Sequence, residues 1–283
     1  MTQPEVKYAE VAGKRVCYTK TGRGDPMILL HGLGNSLLQW EDILCDLSNN
    51  FTVYALDFPG FGKSDPAEKY EINTSYIPLF MRDFIEVLNI ENPIIVGGSF
   101  GGLIALHYTL RYPSKVRKLV LMDSAGLGRE IIWRWRFAAI PPIGELFAIF
   151  DSLDLRSQDS WLWRTVKLPY VGNKLEEMFY KLSKDNADQL RNDYKSSIKL
   201  LRHGVSIFGQ RRRIVRTHML HTLELPVMIM WGSEDRVFPV KHAYNATALI
   251  PNSTLHVFKG AHHWPPLEFP NEFSQVLLDF ASK

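Results

Sequence analysis

One serine of this sequence stands where a nucleophile would be held at a tight corner. Ser99 is the centre of Gly97-Gly98-Ser99-Phe100-Gly101, between the apolar run PIIV and the helix-forming run LIALHY. A sharp turn from a strand into a helix strains the backbone at its centre and brings neighbouring chain close, so glycines are needed two residues before and after it. The spacing G-x-S-x-G therefore predicts a nucleophile elbow, with Ser99 at the carboxyl edge of a sheet.

Two adjacent histidines are candidates for the base that Ser99 needs. A serine hydroxyl is a poor nucleophile by itself, and histidine is suited to accept a proton near neutral pH. His262 and His263 lie in a loop directly after the last predicted strand, from which an imidazole can reach the elbow. Six others fall in predicted helices, a strand or a central helical segment and are set aside: His107, His203, His218, His221, His242 and His256.

An aspartate that follows a predicted strand completes this arrangement. A carboxylate must orient the imidazole and stabilise its charged form. Asp235 lies just ahead of the histidine loop, and the chain order serine, acid, histidine fits this choice. Asp123 also ends a predicted strand and is the rival candidate, whereas Glu234 is interpreted as an exposed neighbour.

A glycine-rich loop supplies the remaining requirement, an oxyanion hole. The stretch HGLGNS begins at His31, follows a predicted strand and lets the backbone approach a substrate. The backbone N–H groups of Leu33 and Phe100 are predicted to face the charge that develops on a substrate carbonyl oxygen. His31 itself is predicted to hold loops together, with a second catalytic base as the alternative.

The elements that must position these residues alternate between strand and helix. VKYAEV and KRVCYTK predict an opening hairpin, and the continuous apolar runs in PMILL, FTVYAL, PIIV and KLVLM predict buried parallel strands. From about Leu127 to Leu225 the sequence becomes helical, aromatic and basic, before PVMIMW and STLHVF resume the strands. We therefore predict an α/β core, residues 1–126 and 222–283, interrupted by a helical cap, residues 127–221.

Composition limits the class of protein. The 283 residues carry a net charge of +3 and are 46% hydrophobic, a balance too weakly basic for a general nucleic-acid binder. Cys17 and Cys45 are the only cysteines, so neither a disulfide framework nor a zinc cluster is predicted. We expect a cytoplasmic protein with no cofactor, no metal and no stable membrane insertion, and leave a homodimer open.

Five motifs follow one another along the chain: HGLG, LDFPGFGKSD, GGSFGG, WGSEDRVFP and GAHHWPPLEFP. In this order they resemble the α/β-hydrolase superfamily over nearly the whole chain. The resemblance implies an eight-stranded, mostly parallel sheet with helices on both faces and a cap over the site. It also implies that the catalytic histidine is the one followed by Trp-Pro, which is His263. Epoxide hydrolases and haloalkane dehalogenases of the superfamily carry aspartate in place of Ser99, so their chemistry is not expected.

Within the superfamily, the chain looks most like small carboxylesterases and meta-cleavage-product hydrolases, which cleave C–C bonds. DSAGLG and Trp264 resemble the second group, but Gly98 and Asp42 stand where that group typically has asparagine. We expect an esterase for apolar acyl groups, with substrate contacts at Gly34, Gly98 and Trp264. C–C hydrolysis of a dienoate and a ligand receptor on the same fold are the alternatives.

The predicted cap is aromatic and basic. Its rings predict an apolar pocket, with packing onto the core as the alternative for any one ring: Trp133, Trp135, Phe137, Phe147, Phe150, Trp161, Trp163, Tyr170 and Phe179. Its arginines are interpreted as solvated or, for one of them, as a partner for a substrate carboxylate: Arg202, Arg211, Arg212, Arg213 and Arg216. Charge on alternate residues of IIWRWRF argues against a membrane-surface helix.

Overall fold

A computed structural model describes residues 5–68, 73, 76–146 and 187–283. The predicted cap is therefore described in part, and its boundaries remain a prediction. Six of the predicted cap aromatics lie outside the described residues: Phe147, Phe150, Trp161, Trp163, Tyr170 and Phe179. Within the described ranges, no helix is long and apolar enough to cross a membrane.

The strands form one large sheet and one short hairpin. They are β1 (Val6–Val11), β2 (Lys14–Thr21), β3 (Asp25–Leu30), β4 (Phe51–Leu56), β5 (Ile94–Gly98), β6 (Lys118–Met122), β7 (Val205–Ser206), β8 (Gly209–Gln210), β9 (Val227–Gly232) and β10 (Ser253–Phe258). The eight-stranded sheet has the order β1-β2-β4-β3-β5-β6-β9-β10. β2 pairs antiparallel with β1 and β4, and every other neighbouring pair is parallel. This confirms the predicted opening hairpin and mostly parallel sheet.

Helices connect these strands. They are α1 (Glu41–Ser48), α2 (Tyr76–Val87), α3 (Phe100–Arg111), α4 (Trp133–Ala138), α5 (Ala187–Gly204), α6 (Lys241–Leu249), α7 (Pro265–Glu268) and α8 (Pro270–Ala281). Short 3₁₀ helices span Leu37–Trp40, Pro113–Lys115 and Thr217–Thr222.

Both faces of the sheet are covered, as its apolar strands require. Side chains alternate along a strand, so Ile28 and Leu30 of β3 pack on the face covered by α2, α3 and α6. Met27 and Leu29 pack on the opposite face, covered by α1 and α8. All four side chains are fully buried. The continuous apolar runs of the sequence thus reflect burial on two sides.

One glycine fastens the start and the end of the segment inserted between β6 and β9. The Gly126 N–H donates to Oε1 of Gln210 at 2.9 Å, and its carbonyl accepts the N–H of Arg216 at 2.9 Å. Gln210 belongs to the β7–β8 hairpin, which the sequence did not predict because strands of two residues leave no periodic pattern. The inserted segment therefore leaves and rejoins the core near one residue.

Candidate active site

The elbow glycines are there because neighbouring backbone lies where their side chains would be. Ser99 has φ of 53° and ψ of −112°, in the left-handed region that L-residues rarely occupy. A Cβ atom on Gly97 would collide with the carbonyl of Gly101, and one on Gly101 would collide with the carbonyl of Leu30. The strain that holds Ser99 at the end of β5 thus depends on glycine at both positions.

The structure brings together the three side chains predicted to form a triad. His263 Nε2 lies 3.0 Å from Ser99 Oγ, and His263 Nδ1 lies 2.9 Å from Asp235 Oδ2. All three residues are buried. Because the carboxylate accepts the Nδ1–H, Nε2 is the unprotonated nitrogen and can accept the serine proton.

Asp235 is fixed by backbone as well as by the imidazole. Its Oδ1 accepts the N–H groups of Val237 at 2.7 Å and Phe238 at 3.1 Å. These bonds leave Oδ2 directed at His263. The carboxylate is thus held in the orientation that a group stabilising an imidazolium requires.

The neighbouring His262 faces away from the serine. Its Nδ1 lies 3.0 Å from Oε2 of Glu268, and its Nε2 lies 3.8 Å from Oε2 of Glu234. The backbone N–H groups of His262 and Trp264, on either side of His263, also donate to Glu268 at 3.0 and 3.2 Å. Sequence analysis did not predict this role for Glu268, although an acid in the short apolar helix α7 was the available signal.

Asp57 is a second carboxylate that the sequence analysis did not single out. Its Oδ1 accepts the N–H of Leu37 and its Oδ2 accepts the N–H of Lys63, both at 2.7 Å. It thereby ties the loop after β3 to the loop after β4. Burial raises the pKa of Asp57 to about 6.

His31 holds loops together, as predicted, and has no nitrogen left for catalysis. Its Nε2 accepts the N–H of Phe58 at 3.1 Å, so its Nδ1 carries the proton and donates to the carbonyl of Gly32 at 2.8 Å. Burial lowers the pKa of His31 to about 4, which keeps the ring neutral at neutral pH. The alternative of a second catalytic base is not supported.

Ser99 lies in the wall of an apolar cavity. The two residues predicted to form the oxyanion hole, Leu33 and Phe100, line the same cavity. No described residue accepts a hydrogen bond from either N–H group. The rest of the lining comes from α2, α3, α5, the ends of the inserted segment and the loop after β9: Ile77, Leu103, Ala125, Ile131, Trp135, Leu200, Leu201, His203, Gly204, Val205, Gln210, Ile214 and Phe238.

The three predicted substrate contacts are not part of this lining and stay predictions. Gly34, Gly98 and Trp264 are not among the described residues that line the cavity. The indole of Trp264 is buried and fits against two glycines, because a Cβ atom on Gly32 or Gly98 would lie 2.8 or 2.5 Å from its ring. These glycines make room for the indole, and Gly34 serves a turn with φ of 72°.

Three of the predicted cap arginines bind other groups of the protein. Arg202 pairs with Glu145. Arg211 Nε donates to the carbonyl of Val205 at 3.0 Å, and Arg213 binds the carbonyl of His203. Among the cavity-lining residues that the structure describes, none is an arginine or lysine. A cationic partner for a substrate carboxylate is therefore not found in this part of the lining.

Asp123, the rival candidate for the acid, lies beside the triad without bonding to the histidine. Its Oδ1 accepts the N–H of Gly232 at 2.9 Å. Within the described ranges, Asp123, Asp235 and His263 form the one group whose side-chain ligand atoms lie close enough to share a metal ion, within 4.8 Å of one another. Asp235 and His263 already bond to each other, so hydrogen bonding accounts for this cluster.

Fold and site together have the architecture of a hydrolase whose nucleophile stands on a strand-to-helix elbow. A model of the α/β hydrolase fold family matches residues 25–270. The chain belongs to this family, and it is a hydrolase.

Similar proteins include an uncharacterized protein, a dienoate hydrolase and a carboxylesterase. The chain is 29% identical over 288 residues to an uncharacterized protein of Mycobacterium tuberculosis, covering 98% of this chain and 81% of that one. It is 27% identical over 270 residues to a 2-hydroxy-6-oxononadienedioate/2-hydroxy-6-oxononatrienedioate hydrolase of Comamonas testosteroni, covering 94% and 91%. The carboxylesterase CesB of Bacillus subtilis superposes with a TM-score of 0.71 at 22% identity, covering 99% and 92%.

Proposed function

We propose that the protein hydrolyses carboxylic esters with apolar acyl groups through an acyl-enzyme on Ser99. The observation that carries this proposal is a hydrogen-bonded nucleophile and base at the wall of an apolar cavity. Such a cavity favours an uncharged, apolar acyl chain, because binding there removes the hydrocarbon surface of that chain from water.

In the proposed acylation step, Ser99 Oγ attacks the ester carbonyl while His263 Nε2 accepts its proton over the 3.0 Å hydrogen bond. Asp235 stabilises the imidazolium through Nδ1. The N–H groups of Leu33 and Phe100 stabilise the oxyanion, and each such donor contributes about 10²–10³-fold to the rate. His263 then returns the proton to the leaving alcohol.

Deacylation repeats these roles with water. His263 accepts a proton from a water molecule, the resulting hydroxide attacks the acyl carbonyl, and Ser99 recovers its proton from the imidazolium. The carboxylic acid leaves as the final product. The three side chains, the oxyanion donors and one water molecule account for every bond and proton in the two steps.

The described lining supports a neutral substrate over an anionic one. Its polar side chains are Ser99, His203 and Gln210. Burial and the neighbouring arginines Arg213 and Arg211 lower the pKa of His203, so it is neutral at neutral pH. A buried carboxylate without a cationic partner costs several kcal/mol, roughly, in effective desolvation.

The test is hydrolysis of p-nitrophenyl esters from acetate to palmitate by wild type and Ser99→Ala. We expect turnover that peaks at one chain length and falls at least about 10³-fold in the variant. Ser274→Ala is the matched control, since Ser274 in α8 is as buried as Ser99, at 3% exposed. Equal turnover by Ser99→Ala and wild type, or no ester turnover by wild type, would overturn the proposal.

The adjacent histidines provide a second matched pair for the same assay. His263→Gln is expected to lose at least about 10³-fold in kcat because the base is removed. His262→Gln is expected to retain kcat within a few fold, since His262 bonds to Glu268 and not to Ser99. The reverse pattern would assign the base to His262.

A C–C hydrolase acting on a dienoate is the second candidate. It is favoured by the name of the relative from Comamonas testosteroni, which matches 94% of this chain. Bleaching of a 2-hydroxy-6-oxo-dienoate chromophore with higher kcat/KM than any ester would select it. Absence of bleaching together with ester turnover would reject it.

A further inference from the structure

Asp123 is a second buried carboxyl group beside the acid of the triad. It directly follows β6, whereas Asp235 follows the neighbouring strand β9. Asp123 is 0% exposed, and its ligand atom lies within 4.8 Å of those of Asp235 and His263. The proposed reaction assigns it no role.

Asp235 has capacity for one more hydrogen bond. An ionised carboxylate offers about four lone-pair positions to donors. Three are used, by the N–H groups of Val237 and Phe238 and by Nδ1–H of His263. One acceptor position of Asp235 therefore remains, and a carboxyl oxygen of Asp123 lies within 4.8 Å of one of Asp235.

Asp123 itself lacks the donors that an anion would require. Its Oδ1 accepts one N–H, from Gly232, while its Oδ2 is buried and has no partner among the described residues. A bare ionised oxygen in this position would be strongly disfavoured, and two adjacent buried carboxyls cannot both ionise readily. The better-solvated member is Asp235, so the proton belongs on Asp123.

We infer that Asp123 is a neutral carboxylic acid whose Oδ2–H donates to Asp235 and so positions the carboxylate that orients His263. Asp123 is thus a positioning residue, and its effect on turnover rests on the proposed function. Burial, followed by the charge of Asp235, raises the pKa of Asp123 well above its usual range, with a smaller contribution from Glu268. The pair then presents one negative charge to the imidazolium instead of two.

The protonation state is measured without any substrate. Infrared spectra of wild type and Asp123→Asn at pH 7 are compared for the carbonyl stretch of a protonated carboxylic acid. We expect this band in the wild type and its loss in the variant. Identical spectra in this region would overturn the inference. Because no turnover is required, the outcome is independent of whether the protein is an esterase.

The pH profile of ester hydrolysis tests the positioning role. An amide in Asp123→Asn can accept from Gly232 and donate to Asp235, so we expect kcat/KM within about threefold of wild type and an unmoved acidic limb. Asp123→Gly, which tolerates the φ of 42° at this position, removes the donor and should lower kcat about tenfold with little change in KM.

Two outcomes would contradict the positioning role. If the acidic limb of Asp123→Asn moved down by a full pH unit or more, Asp123 would have been an anion that stabilised the imidazolium. If Asp123→Gly matched wild type in kcat and in the pH profile, the donor would be dispensable.

Discussion

His31 shows how one buried side chain makes the stability of the protein depend on pH. Its ring accepts the N–H of Phe58 and donates to Gly32, and it is fully buried. Burial lowers its pKa from 6.5 to about 4. The folded state therefore holds the neutral ring under conditions in which the unfolded chain takes up a proton.

We predict that the contribution of His31 to stability is complete above about pH 6.5 and is lost as the pH falls towards 4. The loss reaches roughly 3 kcal/mol, from about 1.4 kcal/mol for each unit of pKa difference. Urea denaturation at pH 7, 6 and 5 should show a steeper decline for wild type than for His31→Gln, which cannot titrate.

Asp57 acts in the opposite direction in the same experiment. Its folded pKa of about 6 lies above its usual 3.8, so its contribution favours folding at low pH and declines as the pH rises through this window. Because Asp57 is present in both proteins, the difference between the two curves isolates His31. Parallel curves would contradict the prediction.

At the scale of single residues, the sequence predicts a site residue when neighbouring residues in the chain determine its position. The glycines at 97 and 101 follow from the steric demands of one turn, so the sequence revealed Ser99. The roles of Asp57 and Glu268 depend on N–H groups brought together by folding, and no local pattern announces them. The position of Asp235 just ahead of the histidine loop favoured it over Asp123, and the contact of Asp235 with His263 agrees with that choice.

At the scale of elements, helix α5 forms one wall of the cavity. Leu200 and Leu201 near its end line the cavity, whereas Lys199 is exposed. A larger side chain at position 201 would therefore fill part of the cavity in which we propose that the acyl chain binds. The same enlargement at position 199 would face solvent.

We predict that Leu201→Trp shifts the preferred p-nitrophenyl ester towards shorter acyl chains. Filling the cavity costs about 1–3 kcal/mol for a chain that no longer fits, which lowers kcat/KM for it roughly 10- to 100-fold. Acetate should be affected least. Lys199→Trp is the matched control, and an equal shift in both variants would contradict the assignment of this wall.

The elements of the core were predictable because burial on two sides leaves a continuous apolar run. β3, β5 and β6 have this pattern, and each lies where the sequence placed it. The β7–β8 hairpin was not predicted, since its two-residue strands depend on contacts such as that of Gln210 with Gly126. The formation of such short strands depends on contacts with residues that are distant in the sequence.

At the scale of the whole molecule, one buried aromatic cluster lies on the face of the sheet opposite the cavity. Phe273 of α8 is fully buried on the face away from the cavity, 5.9 Å from the ring of Phe258 and 6.4 Å from that of Trp40. None of these three rings lines the cavity.

We predict that Phe273→Ala lowers the free energy of unfolding by about 3–5 kcal/mol, as expected for loss of a buried ring. Where the variant remains folded, kcat on a good ester should stay within about twofold of wild type. Tyr244→Ala, at an exposed aromatic on α6, should change stability by less than about 0.5 kcal/mol. A large loss of kcat in folded Phe273→Ala would contradict this separation of faces.

The contacts of Gly126 with both ends of the inserted segment bear on which parts of the protein can change in evolution. Ser99, Asp235 and His263 all come from outside residues 127–215. Gly126 bonds to Gln210 and Arg216, and the segment also contacts the core elsewhere, for example through the Ile132 N–H and the carbonyl of Val237. Residues of this segment, such as Trp135 and Leu201, form part of the cavity lining, while core residues such as Leu33, Phe100 and Phe238 form the rest. A change of sequence within the segment can therefore reshape one side of the cavity and leave the three catalytic side chains in place.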